Sequence, residues 1–443
     1  MKRVSSKKQF FHLLFAILLF QLTSCNSQEE CRFCDIKQQG AVYQNIQCKS
    51  DTSVRYNLYV PSGTGVRKVP VLILLDPHGN TAPALKKYTD LAEKYHVILA
   101  GFNPSSNNIA FENIYRSFKP WLSELYATAP VDSTKIFIAG FSGGARVATL
   151  IENKMPEVNA VAMCGAGPAD VQAWSRSSKP AMMFVGSRDF NYFEVASLFN
   201  NQTVKRPRSL SVFAGRHDWP PAETFEDFFV LIERLSNGKV TSANENDFLK
   251  RSKIFLNLQR PDLALQSASS ALFALGEMSN LKLQNFADSL QKNFPEEFVA
   301  EMNANSKMEV LMQNRIGAMF QDADTLKYFA LIDSLNNEIT TDSLSLQSDV
   351  LYRVKAWCGI AAYSFSNQAK KMNIPFYFSI LRMYEYTEPA NPDMLILMSA
   401  YYAASGQCMK ARIYLNNAKR NGFKDQKKLS SMKEFDNCED IRN

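Results

Sequence analysis

The stretch Gly140-Phe141-Ser142-Gly143-Gly144 sets a serine among small residues, directly after the apolar run Ile136-Phe137-Ile138-Ala139 and before Ala145-Arg146-Val147-Ala148, which suits the opening of a helix. A serine held on so sharp a strand-to-helix turn adopts strained backbone angles. Its neighbours Gly140 and Gly144 must therefore lack bulk, and Gly143 lets the backbone approach a reacting carbonyl. The chemistry such a turn serves is nucleophilic attack by the Ser142 hydroxyl. That attack needs a base to take the proton, an acid to orient the base, and N–H donors aimed where negative charge develops. Gly143, directly after the serine, supplies one donor.

The chain has four histidines, His12, His78, His96 and His217, and only His217 follows the serine. Its setting, Phe213-Ala214-Gly215-Arg216-His217-Asp218-Trp219-Pro220, is a strand that runs out into a loop, from which an imidazole can reach back over a sheet. For the acid, Met183-Phe184-Val185-Gly186-Ser187-Arg188-Asp189 ends a strand in a turn that delivers the Asp189 carboxylate just beyond it. Asp218 competes, but it adjoins the histidine and would have to fold back on itself. Asp170, after the preceding strand, comes third.

The elements that must position these groups alternate in type. Strands are expected over 40–47, 54–60, 71–75, 97–102, 135–139, 160–164, 181–185 and 208–213, with helices over 82–95 and 111–128. Val71-Leu72-Ile73-Leu74-Leu75 is continuously apolar, as a strand buried on both faces requires. The order is that of an α/β-hydrolase, an αβα sandwich, in which the serine, acid and histidine follow one another along the chain.

Tyr56-Asn57-Leu58-Tyr59-Val60-Pro61, Asp76-Pro77-His78-Gly79, Gly140 to Gly144, Gly186-Ser187-Arg188-Asp189 and Gly215 to Pro220 together resemble the α/β-hydrolase esterase branch of polyhydroxybutyrate depolymerase-like, feruloyl esterase-like and dienelactone hydrolase-like proteins, over roughly residues 40–237. The resemblance implies that the loop after the third strand completes an oxyanion hole, with the Asn80 N–H as second donor and with His78 and Gly79 shaping the loop. Many depolymerase-type members carry cysteine at the position of Asn80, so their substrate class is not carried over. Ser142 argues against the cysteine chemistry of dienelactone hydrolases. Between 164 and 181 the chain is too short for a large helical cap, so an open site suited to bulky or polymer-linked esters is expected. No cofactor or metal is called for.

Residues 1–24 combine a basic head, an apolar core and Leu22-Thr23-Ser24 before Cys25, and resemble a bacterial lipoprotein signal peptide with Cys25 as the lipidated residue. Residues 25–39 then form a tether, whose Asn26-Ser27-Gln28-Glu29-Glu30 is similar to surface-export signals of Bacteroidota-type lipoproteins. The expected location is the cell envelope, lipid-anchored at the outer membrane or cell surface. Four of the 50 basic residues lie in the leader, so the rest is near balance against 43 acids and gives nucleic-acid binding no support. Cys31 and Cys34 have a metal-like spacing but no second pair nearby. One of them can bridge Cys48, and Cys408 can bridge Cys438.

After Asn237-Gly238 the strand signal ends. A polar linker over 239–247 is expected to lead into an all-α domain over 248–443, leaving 40–238 with a core of its own. Leu395, Met398, Ser399, Tyr402, Gly406, Ala411, Leu415 and Ala418 follow the spacing of a tetratricopeptide repeat, with a weaker echo at Phe248, Phe255, Ala264 and Ala271. Such helices either engage a protein partner or shape the hydrolase entrance. The functional expectation is a secreted, lipid-anchored serine hydrolase of carboxylic esters, against a non-catalytic scaffold lipoprotein or a peptidase of the same fold.

Overall fold

In the computed structural model, residues 38–107, 109–279, 281–339 and 344–441 are described; the leader, Cys25, Cys31, Cys34 and most of the tether lie outside them. Eight strands, β1 Val42–Gln47, β2 Arg55–Tyr59, β3 Val69–Leu75, β4 Ile98–Phe102, β5 Val131–Phe141, β6 Val158–Cys164, β7 Ala181–Gly186 and β8 Arg208–Phe213, form one sheet in the order β1-β2-β4-β3-β5-β6-β7-β8. β2 is antiparallel to both neighbours and the rest of the sheet is parallel. This is the α/β-hydrolase arrangement. The register Leu75↔Gly140, Phe141↔Cys164 and Gly186↔Phe213 brings the carboxyl ends of β3, β5, β6, β7 and β8 together along one edge, where open α/β sheets hold their ligands.

Alternate residues of each central strand feed opposite faces, which is why β3 is apolar throughout. On one face Val71, Ile73, Ile136 and Ile138 pack against Phe118 and Trp121 of α3 (Phe111–Thr128) and Ala145 and Ala148 of α4 (Gly143–Lys154). On the other, Leu72, Leu74, Phe137 and Ala139 meet α1 (Ala82–Lys87), α2 (Thr89–Tyr95) and the phenylalanines of α7 (Ala222–Asn237). The single helix expected over 82–95 breaks at the buried Tyr88, whose hydroxyl donates to the Pro220 carbonyl. Between β6 and β8 lie only the short α5 (Val171–Ser175) and α6 (Tyr192–Asn200).

The expected boundary at 238 does not hold as a boundary of the core. Gly238 closes α7 with φ +68, yet the chain stays on the body. Helices α8 (Glu245–Asn257), α9 (Pro261–Leu275) and α10 (Leu281–Lys292) bury Phe248, Ala268, Ala271, Ala274 and Leu283 in the same cluster as the sheet. The buried Asp227 of α7 pairs with Arg251 of α8 at 2.8 Å. The polar run read as a linker owes its polarity to the Glu233 carboxylate, which accepts from the Thr241 and Ser242 backbone. Phe248 and Ala271 thus serve the core of the sheet.

A separate core unites α11 (Glu296–Gln321), α12 (Thr325–Glu338), α13 (Leu346–Met372), α14 (Tyr377–Thr387), α15 (Pro392–Ala404), α16 (Cys408–Arg420) and α17 (Gln426–Ser431). Ala411, Leu415 and Ala418 are buried where α15 and α16 pair, and the Ser399 hydroxyl donates to the Ala411 carbonyl at 2.7 Å. The 26 and 27 residues of α11 and α13 do not fit a repeat of about 34 residues containing two helices. Cys408 is disulfide-bonded to Cys438, whereas Cys48 is a buried free thiol that donates to Glu124. Among the described residues no helix is long and apolar enough to cross a membrane.

Candidate active site

Ser142 follows β5 directly and has φ +51, ψ −119, a conformation non-glycine residues avoid at a cost of about 1–3 kcal/mol. The surroundings enforce it. A Cβ on Gly140 would overlap the Gly144 carbonyl, and one on Gly144 would overlap the Leu75 carbonyl, so each glycine lets backbone pass where no other residue could. The Ser142 N–H donates to the Cys164 carbonyl at 2.8 Å, tying the turn to the end of β6.

Asp189 lies three residues beyond β7, fully buried, with its Oδ1 accepting the Asn191 N–H at 2.8 Å. His217 lies four residues beyond β8, and its Nδ1 stands 2.9 Å from both Asp189 oxygens. Facing a carboxylate, Nδ1 carries the proton and Nε2 is left to accept one. The ring is clamped between Phe141 and Phe190, at centroid distances of 4.6 and 4.3 Å. The loops that carry Asp189 and His217 are also zipped together, Ser187 N–H to Phe213 O and Arg188 N–H to Gly215 O, both 2.8 Å. Gly165, with φ +66, closes the cluster: a Cβ there would lie 3.1 Å from both Asp189 Oδ2 and His217 Cε1. Among the described residues the Ser142 hydroxyl makes no hydrogen bond, to His217 or elsewhere. Such hydrogen bonds commonly close only when substrate is bound.

The competing carboxylates are placed elsewhere. Asp218 is exposed, accepts from the Trp219 N–H, and lies 4.0 Å from Lys87. Asp170 caps α5 by accepting from the Ala173 N–H. His96 ends α2 in the left-handed conformation.

In the loop after β3 the Asp76 carbonyl accepts the Gly79 N–H at 3.1 Å, with Gly79 at φ +70, and Asp76 Oδ1 accepts the His78 N–H at 2.9 Å. The His78 side chain points into solvent. Among the described residues the Asn80 and Gly143 N–H groups donate to nothing. Asp76, which sequence reasoning passed over, joins this loop to the one that carries His217, its Oδ2 accepting the Trp219 indole N–H at 3.1 Å. A tryptophan two residues after His217 was the only available signal.

The helical region adds a wall that no local signal announced. Arg188 and Arg216, the residues before Asp189 and His217, both lie against the ring of Tyr352 of α13, 4.4 and 4.7 Å from its centroid. Asp349 accepts from Arg188 Nε at 3.0 Å and from Arg260 Nη1 at 2.7 Å. Arg353 donates to the Ser187 carbonyl, pairs with Glu309 of α11 at 2.6 Å, and covers the Tyr192 ring. A cavity of about 490 Å³ opens between His217 and Tyr352, Lys355, Ile360 and Glu388. The segment between β6 and β7 carries no large cap, as expected, but the site is walled on the histidine's side by helices from the distant end of the chain.

No protein-family model matches the sequence, nor does any curated protein. Among solved structures the chain is similar to an esterase of Rhizomucor miehei (14% identity, 45% of this chain and 85% of that one, TM-score 0.35), to an S-formylglutathione hydrolase from Agrobacterium tumefaciens (15%, 44% and 94%, 0.36) and to esterase B of Lactobacillus rhamnosis (15%, 51% and 96%, 0.37).

Proposed function

We propose that the chain is a serine hydrolase of carboxylic esters. The observation that supports this most directly is the His217–Asp189 pair, 2.9 Å at Nδ1, packed on the ring of Phe141, the residue before a serine with φ +51 on a strand-to-helix turn. In this reading Ser142 Oγ attacks the ester carbonyl while His217 Nε2 takes its proton, and Asp189 holds the imidazole and stabilises its charge. The Gly143 and Asn80 N–H groups receive the oxyanion. His217 then protonates the departing alcohol, leaving an acyl-serine, and water repeats the sequence to release the acid. A cavity of about 490 Å³ beside the base suits an alcohol portion of small-molecule size.

The direct test is treatment with a fluorophosphonate, which phosphonylates an activated serine, followed by peptide mass analysis. A single adduct on Ser142, lost in His217→Ala, is expected; no adduct would refute the mechanism. The same proposal places the enzyme outside the cytoplasm, anchored by lipid at Cys25. Labelled palmitate should enter the full chain and not Cys25→Ser.

A further inference from the structure

We infer, resting on the serine-hydrolase reading, that the favoured ester carries an acidic group on its alcohol portion, and that Arg216 and Lys355 receive it. The cavity beside the base is bordered by His217. In the proposed mechanism His217 is the group that protonates the departing alcohol, and on that ground this cavity is assigned to the alcohol portion. Three cations border it, Arg188, Arg216 and Lys355, against one carboxylate, Glu388.

Arg188 is already committed to Asp349. Arg216 and Lys355 have no carboxylate within ion-pair distance among the described residues. Arg216 lies on the Tyr352 ring, and Lys355 is three residues beyond Tyr352 on the same helix, so the two cations border the cavity that His217 also borders. Stacking on an aromatic ring restrains the guanidinium before any ligand arrives, and its planar fork matches a carboxylate. Glu388 is occupied elsewhere: its Oε2 accepts from Asn391 Nδ2 at 2.6 Å, and its Oε1 is packed against Gly359. Asp218, next to the base, is turned towards Lys87. The cavity thus holds a surplus of positive charge and a preorganised fork beside His217.

The test compares matched aryl butyrates on the full chain. The phenol of one carries a meta-carboxylate and that of the other a neutral meta-carboxamide; phenyl monosuccinate and phenyl succinamate form a second pair with the charge on the acyl side. The readout is the ratio of kcat/KM within each pair, which cancels damage common to both substrates. The carboxylate phenol should be preferred by about tenfold, the size expected for a charge-assisted contact in a partly open site. That ratio should fall with added salt, fall in Lys355→Met, and approach one in Arg216→Gln/Lys355→Met, while the succinate pair shows no such preference. A wild-type ratio near one, a preference confined to the succinate pair, or a preference unchanged in Lys355→Met and in the double variant would overturn the assignment. If wild type hydrolyses none of the four esters faster than Ser142→Ala, it is the serine-hydrolase reading that fails.

Discussion

Replacing Arg353 by leucine isolates what the helical region contributes to the acid turn. Arg353 and Glu309 are both buried, and the arginine also donates to the carbonyl of Ser187, two residues before Asp189. Arg353→Leu leaves the Glu309 carboxylate buried and unpaired, which costs about 3–5 kcal/mol of stability. Arg353→Leu/Glu309→Leu removes both charges, so most of that loss should be recovered. In the double variant the Ser187 carbonyl still lacks its charged donor, a bond of about 1.5–3 kcal/mol. If that energy holds the acid turn in register with His217, kcat/KM should stay depressed by about 10- to 100-fold although the fold has been restored. Denaturant unfolding gives the first quantity and hydrolysis of an activated aryl ester, followed across pH, gives the second. A double variant with wild-type stability and wild-type kcat/KM would refute the idea that α13 positions the acid.

Ser142→Ala and His217→Ala should each lower aryl-ester kcat by about 10⁴-fold or more, and Asp189→Asn by a comparable factor, since triad members act as a unit. Asp218→Asn should change it by less than about threefold, and the reverse order of the two aspartates would exchange their roles. Trp219→Phe leaves the Asp76 carboxylate short of a buried donor, so it should cost about 1–3 kcal/mol in thermal or denaturant unfolding. A chain ending at Gly238 should be insoluble when expressed alone, because it uncovers the surface beneath Ala268, Ala271 and Ala274, whereas one ending at Lys292 should unfold cooperatively by circular dichroism.

The sequence reached furthest where the determinants are local. Ser142 is legible because a strained turn needs Gly140 and Gly144 beside it, and His217 because no other histidine follows the serine. Asp189 is legible because a strand followed by Gly186-Ser187-Arg188 must deliver its next carboxylate at the sheet's edge. The boundary at 238 misled for a physical reason: a glycine-capped helix followed by polar residues looks the same whether those residues run into solvent or fold back to satisfy a buried Glu233. Gly165 was invisible because its restriction comes from Asp189 and His217, side chains brought to it by other strands. Asp349, Tyr352 and Arg353 read as the polar face of an ordinary amphipathic helix. Their partners in the loops around Asp189 and His217 lie more than 130 residues away, and no periodicity within a helix encodes which distant loop it will meet.

The bond from Arg353 to the Ser187 carbonyl spans 166 residues, and this imposes an order on events as the chain is made. Arg188 can zip to Gly215 as soon as β8 has joined the sheet, since that contact closes a loop of fewer than thirty residues. The brace on the acid turn cannot form until α13 has been synthesised and docked, because closing so long a loop comes late in folding. A nascent chain that has completed its sheet therefore holds all three candidate catalytic groups yet lacks the wall beside the base. The candidate site is walled only once α13 has been made and docked.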